Sequence, residues 1–89
     1  MLEKEVTIIN KLGLHARAAA KLVNVATKFS SQIEIEKDGQ RVNGKSIMGV
    51  MMLAANQGSN VLLLADGDDA AESLTEMEKL INNYFDEEE

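Results

Sequence analysis

The sequence has 89 residues, of which 45% are hydrophobic and only 3% aromatic, and its formal net charge is −6. That length predicts one domain, residues 1–89, whose core must be built from aliphatic side chains. The absence of cysteine excludes disulfides and thiolate metal sites, and the negative charge argues against nucleic acid or an anionic membrane as a partner. No apolar run approaches a membrane span and the first residues do not resemble a signal peptide, so we expect a cytoplasmic protein without membrane association.

The first half of the chain alternates between strand and helix patterns. Apolar residues at a two-residue period over 2–8 predict a half-buried strand. A second strand is predicted around 33–35, and Asp38-Gly39 indicates a type I′ turn to a third strand at 41–43. Between the first two strands, from Ala16, helical spacing predicts a helix whose buried face consists of Ala19, Leu22, Val23, Ala26 and Phe29.

The second half predicts two more helices around one strand. Ser46 is a suitable N-cap for a short helix over about 47–53, and the apolar run 61–65 predicts the most buried strand. Asp69, with Glu72 three residues later, resembles a capping box at the start of the last helix. The predicted apolar face of that helix consists of Ala70, Leu74, Met77, Ile81 and Tyr84.

The predicted order of elements is βαββαβα, an α+β fold. It indicates a four-stranded, antiparallel-dominated sheet with three helices on one face and water on the other. The acidic residues 86–89 are expected to form a solvated, frayed end. We expect neither a cofactor nor a metal ion.

The single histidine, His15, lies where a Gly-containing loop ends and the first helix begins. It is next to the unpaired N–H groups of Ala16 and Arg17, the positive end of the helix dipole and the Arg17 guanidinium. A helix N-terminus disfavours the imidazolium, so we expect a neutral, nucleophilic imidazole, and the same N–H groups would bind an added phosphoryl group. Because no second histidine, carboxylate pair or serine triad is near in sequence, a handover point is favoured over a complete active centre.

A second motif competes for the phosphate. Residues 39–46 fit the G-x-x-x-x-G-K-[ST] pattern of a nucleotide-binding P-loop. However, Gly39 is already required by the hairpin turn, and the helix that follows is short and contains Gly49. Nucleotide binding is therefore the weaker hypothesis, and replacing Lys45 with Ala is expected to leave the phosphorylation of His15 largely intact.

Residues 13–19, Gly-Leu-His-Ala-Arg-Ala-Ala, and 43–51, Asn-Gly-Lys-Ser-Ile-Met-Gly-Val-Met, resemble the HPr family of histidine phosphocarriers. These proteins serve the bacterial phosphoenolpyruvate-dependent phosphotransferase system, and the resemblance covers essentially the whole chain. It implies an open-faced β-sandwich in which His15 takes a phosphoryl group on Nδ1 from phospho-Enzyme I. It also implies transfer from His15 to a histidine of an Enzyme IIA, which makes the protein a stoichiometric carrier rather than an enzyme.

Ala18 bears on which branch of the family the chain resembles. Sugar-system members commonly have proline at this position, which suits a first helical turn because the missing N–H would be unpaired. The run 18–20 and the segment 46–55 are more like NPr, the counterpart in the nitrogen-related system. Alanine also tolerates this position, so phosphate binding is not threatened and both branches stay open.

The short helix is rich in methionine, and one or two turns cannot bury every face. Flexible thioethers on an exposed patch suit a protein that docks several partners in turn. We therefore predict a docking surface that consists of Leu14, Ala20, Ile47, Met48 and Met51.

Ser46 has a predicted role besides capping. The family resemblance implies that this serine is phosphorylated in some bacteria by an HPr kinase/phosphorylase, which would add charge at the docking surface. We expect a monomer. The alternative hypothesis is a regulatory interaction module, controlled at Ser46, in which His15 is incidental.

Overall fold

The computed structural model describes residues 1–87. Over this range the chain forms four strands and three helices in the predicted order, followed by a single turn at Tyr84–Asp86. The elements are β1 (Leu2–Thr7), α1 (Ala16–Ala26), β2 (Gln32–Lys37), β3 (Gln40–Asn43), α2 (Ile47–Met52), β4 (Asn60–Asp66) and α3 (Ala70–Asn82).

The four strands form one antiparallel sheet in the order β1-β4-β2-β3. The register places Val6 opposite Val61 and Ile33 opposite Ala65. Because β4 is an inner strand paired on both sides, most of its side chains are buried, which confirms the prediction for residues 61–65.

The three helices cover one face of this sheet. α3 packs on β1 and β4, and α1 packs against both α2 and α3. The core between the layers is almost entirely aliphatic, as the composition predicted. Its fully buried large side chains include Ile8, Leu22, Ile33, Ile35, Leu63, Met77 and Ile81. The predicted α+β class and open-faced arrangement are therefore confirmed.

Two local predictions, the β2–β3 turn and the cap of α2, are confirmed in detail. Asp38 and Gly39 both have positive φ, 52° and 83°, as a type I′ turn requires. At the start of α2 the Ser46 hydroxyl oxygen accepts the N–H of Gly49 at 3.1 Å. Such a cap stabilises a helix by about 1 kcal/mol.

The end of α3 differs from the predicted apolar face. The helix ends at Asn82, and Tyr84, Phe85 and Asp86 all have positive φ, so the chain reverses in a left-handed turn. This turn rotates Tyr84 to the surface, where it is 40% exposed, and inserts Phe85 into the core. The expected place of Tyr84 on the buried face is wrong, because the helical period does not continue that far.

The acidic end also differs from the expected frayed tail, as far as the structure describes it. Burial of Phe85 holds the chain against the domain, so Asp86 lies in the turn and Glu87 is half-buried. Glu88 and Glu89 lie outside the described residues.

The predicted capping box at α3 is wrong. Asp69 is the N-cap residue, but its side chain makes no hydrogen bond to the helix. Its carboxylate instead accepts the N–H groups of Ser30 at 2.9 Å and Ser31 at 3.0 Å, together with the Ser31 hydroxyl. The Ser31 hydroxyl, followed by the Ser30 N–H, lowers the pKa of Asp69 to about 2. Asp69 therefore ties the loop before β2 to the start of α3.

This carboxylate makes the fold sensitive to acid. Because the pKa of Asp69 falls from 3.8 to about 2 on folding, its bonds stabilise the protein above about pH 4 and are lost as the pH falls toward 2. Asp69→Asn should therefore lower the free energy of unfolding near neutral pH, and its difference from the wild type should shrink over that acid range. Urea unfolding across the range measures this. Asp68→Asn is the control, because it removes a neighbouring exposed charge but leaves these bonds in place. If the difference in free energy of unfolding between Asp69→Asn and the wild type did not change with pH, the prediction would be contradicted.

Candidate functional site

His15 lies at the start of α1, as the sequence predicted. It is the N-cap residue, with extended backbone angles (φ −72°, ψ 176°), and its carbonyl accepts the N–H of Ala19 at 2.8 Å. Its side chain does not cap the helix, so the N–H groups of Ala16 and Arg17 keep no intrahelical partner. The half-buried imidazole therefore stands beside a set of donors suited to an anion.

The loop before His15 is fixed by its own hydrogen bonds. Asn10 is fully buried. Its side-chain N–H donates to the Gly13 carbonyl at 2.8 Å, and its backbone carbonyl accepts the Gly13 N–H at 3.2 Å. The next residue, Leu14, donates its N–H to the Ala55 carbonyl at 2.9 Å. These bonds attach the histidine loop to the chain that leaves α2.

Gly13 is the residue that permits this close approach. Its φ is +66°, and a Cβ there would overlap the Ala55 carbonyl oxygen and lie 2.9 Å from the Cα of Asn56. A side chain would therefore be both strained and sterically excluded.

Arg17 and Ala16 are both exposed in the first turn of α1. Arg17 makes no hydrogen bond or ion pair with another residue of the range 1–87. This residue follows His15 by two positions, and the planar fork of N–H donors of a guanidinium can hold a phosphate bidentately.

Glu87 is the site residue that sequence reasoning missed. Both of its carboxylate oxygens lie 3.2 Å from Nε2 of His15, and the two side chains are only 16% and 27% exposed. Glu87 is 72 residues away along the chain, in a run of acids that looked like solvated surface. The available signal was Phe85, a large apolar residue placed just before those acids.

The residues that fit the P-loop pattern do not form a P-loop. Gly39 lies in the β2–β3 turn and residues 40–43 form β3, so no phosphate-binding loop exists at these residues. Lys45 donates from Nζ to the Phe29 carbonyl at 2.7 Å. The lysine of the pattern is therefore committed to a structural contact.

α2 presents an apolar surface, as predicted. Val50 fills the core, while Ile47, Met48, Met51 and Met52 are exposed, Met48 by 71%. We refer to these four exposed residues as the methionine face. On α2 it adds Met52 to the three predicted residues Ile47, Met48 and Met51.

The other two predicted docking residues, Leu14 and Ala20, are less exposed than the methionine face. Leu14 is only 5% exposed, because the loop bonds turn its side chain into the core, so its predicted role on the surface does not fit. Ala20, on α1, is half-buried. Leu12, which the prediction did not include, is exposed in the histidine loop.

Residues 1–87 contain no cluster of histidine and acidic side chains suited to a metal ion, and no helix in that range is long and apolar enough to cross a membrane.

Comparisons with known proteins agree with this geometry. Residues 2–83 match the family described as PTS HPr component phosphorylation site. Over 89 residues the chain is 54% identical to the phosphocarrier protein HPr of Cupriavidus necator, and the match covers all of both proteins. The fold and the histidine site therefore define a phosphocarrier of the phosphotransferase system. This chain belongs to the HPr family.

Solved structures show the same relationship. The crystal structure of HPr-C-His from Thermoanaerobacter tengcongensis is 52% identical and matches with a TM-score of 0.96 over 100% of both chains. A crystal structure of an HPr dimer from the same organism, also 52% identical, matches with a TM-score of 0.79 over 98% of this chain and 100% of that one.

The close approach of Gly13 to Ala55 can be tested as a constraint on the histidine loop. Gly13→Ala should lower the free energy of unfolding by about 1–3 kcal/mol more than Gly39→Ala, because the added methyl group collides with backbone only at Gly13. Gly39 is the matched control, since its φ is also positive but a Cβ there meets nothing within 4 Å. Urea unfolding measures both variants, and equal losses would show that the Gly13–Ala55 approach does not constrain the loop.

Proposed function

We propose that this protein accepts a phosphoryl group on Nδ1 of His15 from phospho-Enzyme I and passes it to a histidine of an Enzyme IIA. The observation that carries the proposal is the placement of a half-buried imidazole at the N-cap of α1, beside unpaired N–H groups and Arg17. Membership of the HPr family supports the same function.

The proposed transfer uses His15 as a nucleophile. The Nδ1 lone pair attacks the phosphorus atom of phospho-Enzyme I, the bond from phosphorus to the donor breaks, and its electron pair returns to the donor. The N–H groups of Ala16 and Arg17 and the Arg17 guanidinium then stabilise the charge of the phosphoryl oxygens. Attack by the Enzyme IIA histidine reverses the step at Nδ1, so His15 is regenerated and the protein acts as a stoichiometric carrier.

The methionine face is the proposed docking surface for these partners. α1 packs directly against α2, so a protein bound to the methionine face comes close to the helix start that carries His15. Flexible thioethers allow one face to fit several partners in turn. Because this face must stay open for partners, we propose that the protein acts as a monomer.

Ser46 is a proposed point of control by an HPr kinase/phosphorylase. Its hydroxyl caps α2 immediately before Ile47 and Met48. A phosphate there suits the helix N-terminus, so the expected effect is on partner docking rather than on folding.

The proposal also covers the location of the protein and its branch of the phosphotransferase system. Phosphoenolpyruvate is a cytoplasmic metabolite, so a protein that receives its phosphoryl group works in the cytoplasm. The Enzyme IIA that accepts the phosphoryl group fastest, from a sugar or a nitrogen system, assigns the branch.

Phosphorylation with phosphoenolpyruvate and Enzyme I tests the acceptor. The wild type should gain one acid-labile phosphate by intact-mass measurement, and His15→Ala should gain none. Lys45→Ala is the matched control for the P-loop pattern and should be labelled like the wild type, since Lys45 binds the Phe29 carbonyl. Labelling of His15→Ala would contradict the proposal and favour the interaction module.

The docking surface is tested by two variants on α2. Met48→Ala should weaken productive encounter with Enzyme I by about 1 kcal/mol, or roughly fivefold in KM, with little dependence on salt. Ser46→Asp keeps a good N-cap but adds a charge at the edge of the face, so its loss of rate should change with ionic strength.

The control for these two variants is Leu2→Ala, which trims an exposed apolar side chain on β1. It should transfer phosphate at the wild-type rate. Wild-type rates for both α2 variants would show that the methionine face is not where Enzyme I docks.

A further inference from the structure

The C-terminal turn brings an acidic side chain to the histidine. Phe85 is fully buried, and Lys21 of α1 donates from Nζ to the Phe85 carbonyl at 2.7 Å. The N–H of Glu87 in turn donates to the Tyr84 carbonyl at 2.9 Å. Glu87 is therefore placed by a core side chain, a lysine of α1 and a turn hydrogen bond.

The contact of Glu87 is with the far nitrogen of the ring. Both carboxylate oxygens lie 3.2 Å from Nε2 of His15, and the Asn10 side-chain N–H lies 3.5 Å from one of them. Within residues 1–87, Glu87 accepts no hydrogen bond from Ala16 or Arg17. The carboxylate thus does not occupy the donors of the α1 N-terminus, as a bound anion would.

This contact determines which nitrogen can react. A neutral imidazole carries one N–H and one lone pair, and a carboxylate, which only accepts, keeps the proton on the nitrogen that it faces. With the proton on Nε2, the lone pair is on Nδ1. When Nδ1 bonds to phosphorus the ring becomes positively charged, and a carboxylate at Nε2–H compensates that charge, as the aspartate of a Ser-His-Asp triad does for its imidazolium.

We propose that Glu87 is a positioning residue for His15, which selects Nδ1 as the nucleophile and stabilises the phosphorylated ring. This proposal rests on the proposed function, because it concerns the phosphorylation of His15. It goes beyond the N–H groups and Arg17, which act on the phosphoryl group, whereas Glu87 acts on the imidazole.

The experiment uses a small phosphoryl donor, so that docking plays no part. In the reaction with phosphoramidate, Nδ1 attacks phosphorus, the P–N bond breaks and its electron pair leaves with the nitrogen as ammonia. The wild type should form the Nδ1 isomer. Glu87→Ala should react about tenfold more slowly or worse, because it loses a charge-assisted hydrogen bond, and should form a measurable share of the Nε2 isomer.

Two further variants isolate the effect. Glu87→Gln keeps an acceptor oxygen without the charge, so it should retain the Nδ1 isomer at a reduced rate. Asp68→Asn removes an exposed negative charge outside this turn and leaves the positive-φ residues that place Glu87 unchanged, so it should behave as the wild type. Rates and isomers are read by phosphorus NMR, and the ring nitrogen shifts report the tautomer of the unreacted imidazole.

The outcomes are distinct. A wild-type rate, isomer and tautomer in Glu87→Ala would overturn the proposal, as would equal effects of Asp68→Asn. If Enzyme I fails to label the wild type while the phosphoramidate results are as expected, the proposed partner relay falls and the positioning by Glu87 stands.

Discussion

The hydrogen bond from the Leu14 backbone to the Ala55 carbonyl joins the histidine loop to the chain leaving α2, at a distance of 2.9 Å. It forms because Gly13 lets two backbones approach more closely than a Cβ would allow, and because Asn10 closes the loop from within. His15 consequently enters α1 in an extended conformation that leaves the first N–H groups unpaired. The same bond makes the histidine loop and α2, which carries the methionine face, parts of one packed unit.

His15 has groups of opposite charge around it. The α1 N-terminus and Arg17 favour an anion, whereas the Glu87 carboxylate favours a cation. A phosphorylated histidine has both characters, since its phosphoryl oxygens are negative and its ring is positive.

The predictions that held are those based on regular spacing or local turn chemistry. The period of apolar residues located the helices and strands, Asp38-Gly39 located the hairpin, and Ser46 located the cap of α2. Placement of His15 followed from the same rules, because an N-terminal helix boundary is a local property.

The failures share a different cause, which is competition from distant contacts. Asp69 has the sequence of a capping box, yet Ser30 and Ser31 offer it more donors than the helix does. Glu87 reaches His15 only because three consecutive residues, none of them glycine, adopt positive φ. No sequence pattern predicts such a turn.

That left-handed turn has a consequence for motion. Positive φ costs each of Tyr84, Phe85 and Asp86 about 1 kcal/mol, and the burial of Phe85 with the Lys21 bond offsets this only narrowly. Such a segment belongs to the low end of the range of local opening free energies, well below the inner strands of the sheet. Opening of residues 84–87 should therefore cost less free energy than opening of β4, and the Glu87 amide should exchange its hydrogen sooner than the amides of β4. If Glu87 positions the imidazole as proposed, opening of this turn would separate the carboxylate from His15.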